Sequence, residues 1–291
     1  MNRLMLILQV FYDFFIDIYN KIPFGTALRR FILRIAMNRF DNINKLLLKI
    51  FLIKPESVIK LPRGIKVYLT DFAEIMVGID NLFVNKEYFH FSEFIPKRDW
   101  IILDIGANLG WTALFYAKIA QKGLVIAIEP NPCALSILKA NCSLNRVNNL
   151  KIIEVALSDK KGIRNLYLHP KVKTYGIASF YEEHVKNSAY TKETSFIQVN
   201  TTTLDDLLKE LKLKKVDLVK IDTEGAELQN LKGSINSLKS KKINKLIIEV
   251  HKDIISTDEI LNFLKSLKLV FKTKCIDLVK YNKAILYINL D

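Results

Sequence analysis

A chain of 291 residues, half of them hydrophobic, can bury a full core and is not a disordered protein. Its 44 lysines and arginines against 30 acids give a formal charge of +14. That balance favours anionic partners such as lipid headgroups, nucleic acid or phosphorylated substrates without choosing among them. Cys133, Cys142 and Cys275 contain no CxxC pair and an odd number, which argues against a zinc knuckle and a disulfide framework. They read as small buried hydrophobes in a reducing compartment, hence a cytoplasmic protein.

The opening "MNRLMLILQVFYDFF" starts like a signal peptide, but Asp13 and Asp17 cut the apolar run short of the ~20 residues of a membrane span, and no small-x-small cleavage site follows. Leu4, Ile7, Leu8, Phe11, Phe14, Phe15 and Ile18 recur at helical spacing. Residues 1–58 therefore read as a helical, amphipathic, basic extension interrupted near Pro23 and Gly25. Such a stretch suits either packing on protein or interfacial attachment to the inner face of a membrane through 1–54. Residues 59–99 read as a strand pair, "IKLPRGIKVYL" with a Pro-Arg-Gly turn, followed by a lead-in.

From Trp100 short apolar runs alternate with helical patterns, which predicts βαβ units and a parallel sheet over 100–291. The buried strands are "WIILDI", "LVIAIE", "KIIEVAL", "VDLVKID" and "KLIIEV". Asn131-Pro132 starts a helix running to Asn145, and Thr203-x-x-Asp206 and Ser256-x-x-Glu259 resemble capping boxes. An insertion at 159–202 holds two strand-like pieces, "GIRNLYL" and "SFIQVNTTT", around a polar middle. The final "LVFKTKCIDLVKYNKAILYINL" reads as an antiparallel hairpin at the sheet's edge. The fold class is α/β: a doubly wound, mostly parallel, seven-stranded sheet with a terminal antiparallel hairpin.

Chemistry gathers at the strand ends. "ILDIGANLGW" runs from a strand through a Gly-x-Asn-x-Gly turn into a helix, exposing backbone N–H groups at a helix start. This is not the GxGxxG of dinucleotide folds. Glu129 closes the next strand, where an acid accepts from both hydroxyls of an adenosine ribose, a site that suits NAD and S-adenosylmethionine alike. Ser158 and Asp159 end the third strand and are placed to border an adenine ring. Asp222 and Glu224 leave the fourth, able to act as general base, to orient a methionine amino group or to help hold a divalent cation. Glu249 and His251 end the fifth, close to where a substrate lies.

"DIGANLGWTALFYAK", "AIEPNP", "VALSDKKG", "TTTLDDLL", "VDLVKIDTEGAE" and "LIIEVH" resemble, in order and spacing, the FkbM-type S-adenosylmethionine-dependent methyltransferases over about Phe83 to His251. The resemblance implies a class I, Rossmann-like methyltransferase that methylates a hydroxyl of a sugar, glycan or other small molecule. It places Asp104, Gly106, Asn108 and Gly110 on the methionine side of the cofactor, Glu129 on the ribose and Ser158 with Asp159 beside the adenine. The catalytic candidates are Asp222, Glu224 and His251, with Asp222 or His251 as base, and no metal site is assigned. An NAD-dependent oxidoreductase, an RNA or protein methyltransferase and a non-enzymatic membrane-binding module are the competing readings. The glycine spacing and terminal hairpin count against the first, and no nucleic-acid-binding motif supports an RNA acceptor.

Overall fold

The computed structural model describes residues 58–68, 78, 81–82, 86–169, 176–188 and 191–290. The amphipathic helices expected over 1–54 lie outside the described residues. By compactness the chain divides into residues 1–62 with 66–86, and residues 63–65 with 87–291. The expected strand pair forms: β1 (Val58–Leu61) and β2 (Ile65–Tyr68) make a two-stranded sheet joined by a turn in which Arg63 and Gly64 take positive φ.

The second unit is built on a seven-stranded sheet. Its strands are β3 (Ile101–Ile105), β4 (Leu124–Ile128), β5 (Leu150–Ile153), then, beyond the insertion, β10 (Leu218–Ile221), β11 (Lys245–His251), β12 (Phe271–Leu278) and β13 (Lys283–Leu290). The spatial order is β12-β13-β11-β10-β3-β4-β5. All neighbours are parallel except β13, which runs antiparallel to both β11 and β12. The terminal hairpin is thus confirmed, with its second strand inserted between β11 and the edge. The chain begins in the middle, steps outward to β5, then returns to the other side of β3. The carboxyl ends of β3 and β10 therefore flank the topological switch point, where α/β sheets bind ligands.

Continuous apolar runs form the central strands because both faces are covered; all four residues of β10 are buried, Lys220 included. On one face Leu103, Ile105, Ile126, Ile128, Val219, Ile221, Leu246 and Ile248 join a core with Leu204, Leu207, Leu208, Ile260 and Leu264. Among the described residues of this unit seven α-helices connect the strands: α1 (Trp111–Ile119), α2 (Pro132–Asn145), α3 (Glu182–Ser188), α4 (Leu204–Glu210), α5 (Glu227–Lys232), α6 (Ile235–Lys239) and α7 (Thr257–Ser266). Their starts follow the sequence signals. Asn131 caps α2 by accepting from the Cys133 N–H, Thr203 caps α4 through the Asp206 N–H, and Ser256 with Glu259 completes a reciprocal capping box on α7.

Two expectations need correction. "KIIEVAL" is not one strand: β5 ends at Ile153, and β6 (Ala156–Leu157) turns away to pair with β9 (Ser195–Thr202). With β7 (Gly162–Leu168) and β8 (Ala178–Ser179) they form a second sheet, ordered β6-β9-β7-β8. The insertion's two strand-like pieces thus pair with each other, as β7 and β9. The cysteines are not buried, for Cys133 and Cys275 are exposed and Cys142 is half-buried. Cys133 sits in the first turn of α2, and Cys275 lies on β12, the last strand of the sheet, whose central residues face solvent.

Candidate functional site

The glycine turn is a strained piece of backbone. Gly106 (φ 75°), Asn108 (φ 48°) and Gly110 (φ 84°) all take left-handed conformations within five residues. At Gly106 glycine is required for a second reason: an added Cβ would stand 1.7 Å from the Asp222 carbonyl oxygen. The turn after β3 is therefore packed against the loop after β10, bringing two of the predicted motifs into contact.

Glu129 ties this turn to the next strand. Its carboxylate accepts from the Asn108 N–H at 2.8 Å and the Asn131 N–H at 2.9 Å. Burial lifts its pKa to about 7, with the two N–H groups pulling the other way. Each oxygen keeps a lone pair beyond these bonds, so the group can still accept from hydroxyls. Asn108 Oδ1 is buried with no hydrogen bond. Such an orphaned acceptor at a glycine-lined turn fits a ligand carrying N–H or O–H donors.

Strand register then sets a line of charged groups on one face. Lys220 lies opposite Asp104, and its Nζ stands 3.1 Å from Asp104 Oδ1, 3.3 Å from Asp222 Oδ2 and 3.0 Å from the Gly106 carbonyl oxygen to which it donates. Burial opposes its charge, but the Asp104 and Asp222 carboxylates hold its pKa above the usual lysine range. Tyr88, carried by the lead-in, hydrogen-bonds Glu249 and lies 3.0 Å from Asp222 Oδ2. The lead-in is anchored where Tyr287 of β13 bonds the Glu87 carbonyl and stacks edge-on with Phe91 and Phe94. His251 and Lys283 are paired in register, and Lys283 Nζ is 2.7 Å from Glu249 Oε1 and 3.8 Å from Glu224 Oε1.

The insertion closes over the same loop. Ser179 donates to the Glu224 carbonyl, the Tyr181 hydroxyl accepts from Gln229, and His184 of α3 places Nε2 2.7 Å from Glu224 Oε2 and Nδ1 2.6 Å from Asp253 Oδ2. Glu224 itself has φ 50°, and Gly225 (φ 104°) has no room for a Cβ beside Ile254 and Tyr181. His251 Nδ1 meets Glu227 Oε1 at 3.0 Å, and its Nε2 lies 3.3 Å from Glu224 Oε2. Burial works against charge on both imidazoles, yet the carboxylate contacts, Glu224 foremost, outweigh it and raise both above the ordinary histidine range.

The structure thus brings Asp104, Gly106, Asn108, Gly110 and Glu129 together around one turn, and Asp222, Glu224 and His251 together beside it. Ser158 and Asp159 do not end a strand of the first sheet, as expected, but follow β6 of the second. Ser158 is fully buried, its hydroxyl bonded to Asp159 and approached by Arg164, with its backbone against Gly233. Sequence reading missed Lys220, Tyr88, His184, Glu227 and Lys283. The signal for Lys220 was present: a lysine inside an apolar strand, two residues before Asp222 and so on the same face. His184 carries no comparable signal, because its place depends on how the insertion folds back.

Comparison with known proteins agrees with this geometry. The profile described as the methyltransferase FkbM domain matches residues 104–271, from the acid of the glycine turn to the start of β12. Over 187 residues the chain is 28% identical to "Methyltransferase 1" of Beauveria bassiana, covering 58% of this chain and 74% of that one. It is 27% identical to the 2-O-methyltransferase NoeI of Sinorhizobium fredii over 58% of this chain and 71% of that one. A third relative, the 31-O-demethyl-FK506 methyltransferase FkbM of Streptomyces tacrolimicus, is 25% identical over 67% of this chain and 82% of its own. With more than half of its residues inside the family profile, and with the glycine turn and the acid-rich strand ends meeting at the switch point, the chain belongs to the FkbM family of S-adenosylmethionine-dependent methyltransferases.

Proposed function

We propose that the protein methylates a hydroxyl oxygen of a sugar, glycan or other small molecule, holding S-adenosylmethionine at the glycine turn and the acceptor beside the acids of β10 and β11. The observation that carries this reading is the packing of Gly106 on the Asp222 backbone, which sets a cofactor turn directly against an acid-rich acceptor edge. The names of relatives point the same way: one is a 2-O-methyltransferase, one a 31-O-demethyl-FK506 methyltransferase and one a hexuronic acid methyltransferase.

S-adenosylmethionine supplies a methyl group already activated as a sulfonium, so the protein's tasks are alignment and removal of the hydroxyl proton. In this reading Glu129 accepts from the ribose hydroxyls. Asp104, Gly106, Asn108 and Gly110 shape the methionine side, Ser158 and Asp159 border the adenine, and Asp222, Glu224 and His251 face the acceptor. Asp222 is the base we favour, because Lys220 and Tyr88 fix its Oδ2 and leave Oδ1 to take a proton. The free cysteines suit a cytoplasmic protein. Among the described residues no helix is long and apolar enough to cross a membrane.

Calorimetric titration of the full chain with S-adenosylmethionine and, separately, with NAD tests the cofactor assignment. Micromolar binding of the first and none of the second is expected; the reverse would overturn it.

A further inference from the structure

We propose that His184, His251 and Glu224 form a binding site for one divalent first-row transition metal ion beside the acceptor. The ring nitrogens His184 Nε2 and His251 Nε2 both point at Glu224 Oε2, at 2.7 and 3.3 Å. In a shell with ligands ~2.1 Å from the ion, neighbouring octahedral ligand atoms stand ~3.0 Å apart, so a small shift of the carboxylate makes room for an ion between the three.

Three further observations separate this cluster from an ordinary ion-pair network. First, each imidazole hands its other nitrogen to a carboxylate: His184 Nδ1 to Asp253 at 2.6 Å and His251 Nδ1 to Glu227 at 3.0 Å. This is the outer-shell pattern that fixes a histidine with its Nε2 free for a metal. Second, His251 is fully buried, and its Nε2, 3.3 Å from Glu224 Oε2, makes no well-formed hydrogen bond, a polar atom aimed into the cluster. Third, Glu224 divides its oxygens, with Oε1 toward Lys283 and Oε2 toward the two rings, so the nearby cation does not compete for the ligating atom. Asp222 Oδ1 and Glu249 Oε1, at 4.0 and 3.9 Å from His251 Nε2, stand close enough to supply a fourth ligand.

Two imidazoles with one carboxylate select manganese, iron, cobalt or zinc over magnesium or calcium, which take oxygen ligands. An ion there would favour ionisation of an acceptor hydroxyl, its proton passing to Asp222 or water. The proposal deepens the methyltransferase reading and rests on it. It assigns His184, a residue of the insertion, to the same site.

The test uses full-length protein without a polyhistidine tag, stripped with chelator and titrated with Mn²⁺, Zn²⁺ and Co²⁺. One ion per chain is expected, with visible d–d absorption from the cobalt form that shows nitrogen ligation. His184→Gln and, as an outer-shell change, Asp253→Asn should each weaken metal binding by ~10–100-fold while S-adenosylmethionine affinity stays within about twofold. The cobalt spectrum of the wild type decides the matter if a variant does not fold. Absence of stoichiometric binding, or equal binding by wild type and both variants, would overturn the metal site. Failure to bind metal in a protein that still binds S-adenosylmethionine would refute this proposal alone, whereas loss of S-adenosylmethionine binding in the native protein would refute the reading on which it rests.

Discussion

Glu129 shows how one side chain can link folding, cofactor and pH. Its pKa is raised by burial to about 7, above the ordinary carboxyl value of 4.5. A carboxyl raised on folding contributes stability that is full below its unfolded value and is lost as pH rises through its folded value. Over the window from about 4.5 to about 7 the loss amounts to ~3 kcal/mol, and Glu129→Gln should flatten that slope in urea melts run across the range. Cofactor affinity should run the other way: if ribose hydroxyls donate to the ionised group, S-adenosylmethionine binds more tightly as pH rises through 7. The Gln variant should bind roughly 10–100-fold more weakly with no such rise. Gly106 supports a second test at this scale. Gly106→Ala puts a Cβ against the Asp222 carbonyl and should cost ~2–4 kcal/mol in unfolding free energy, with cofactor binding lost as well. Both residues were legible in the sequence because glycine spacing and an acid at a strand end are local signals. Tyr88, Lys283 and His184 were not, since each reaches the site from a distant segment that only the fold brings near.

The elements were legible wherever the chain carried its own period or cap. The five parallel strands announce themselves as apolar runs, and Asn131, Thr203 and Ser256 mark helix starts that the structure honours. Ser256→Ala removes the hydroxyl half of the capping box on α7 and should cost ~1 kcal/mol, read as a lower denaturation midpoint with S-adenosylmethionine affinity unchanged. What an apolar run cannot reveal is which sheet it joins. Residues 150–157 read as one strand, yet the chain changes sheets between Ile153 and Ala156, because β9 offers Ala156 and Leu157 a parallel partner. That change places Ser158 and Asp159 after a strand of the second sheet, a position that no apolar run announces.

For the molecule as a whole, strand order decides the function more than any one motif. Because β3 and β10 are neighbours though 116 residues separate their paired positions, such as Asp104 and Lys220, the turn that follows one meets the acids that follow the other. The formal charge of +14 keeps RNA in view as an acceptor, and a steep fall of RNA affinity with salt would be its mark. The central claim is methyl transfer to a hydroxyl oxygen of a small molecule or glycan. It is tested most directly by incubating the protein and isotopically labelled S-adenosylmethionine with cell extract and following the label by mass spectrometry. The account predicts labelled methyl on oxygen in the small-molecule or glycan fraction, lost with Asp222→Asn; label recovered in RNA or protein, or on nitrogen, would contradict it.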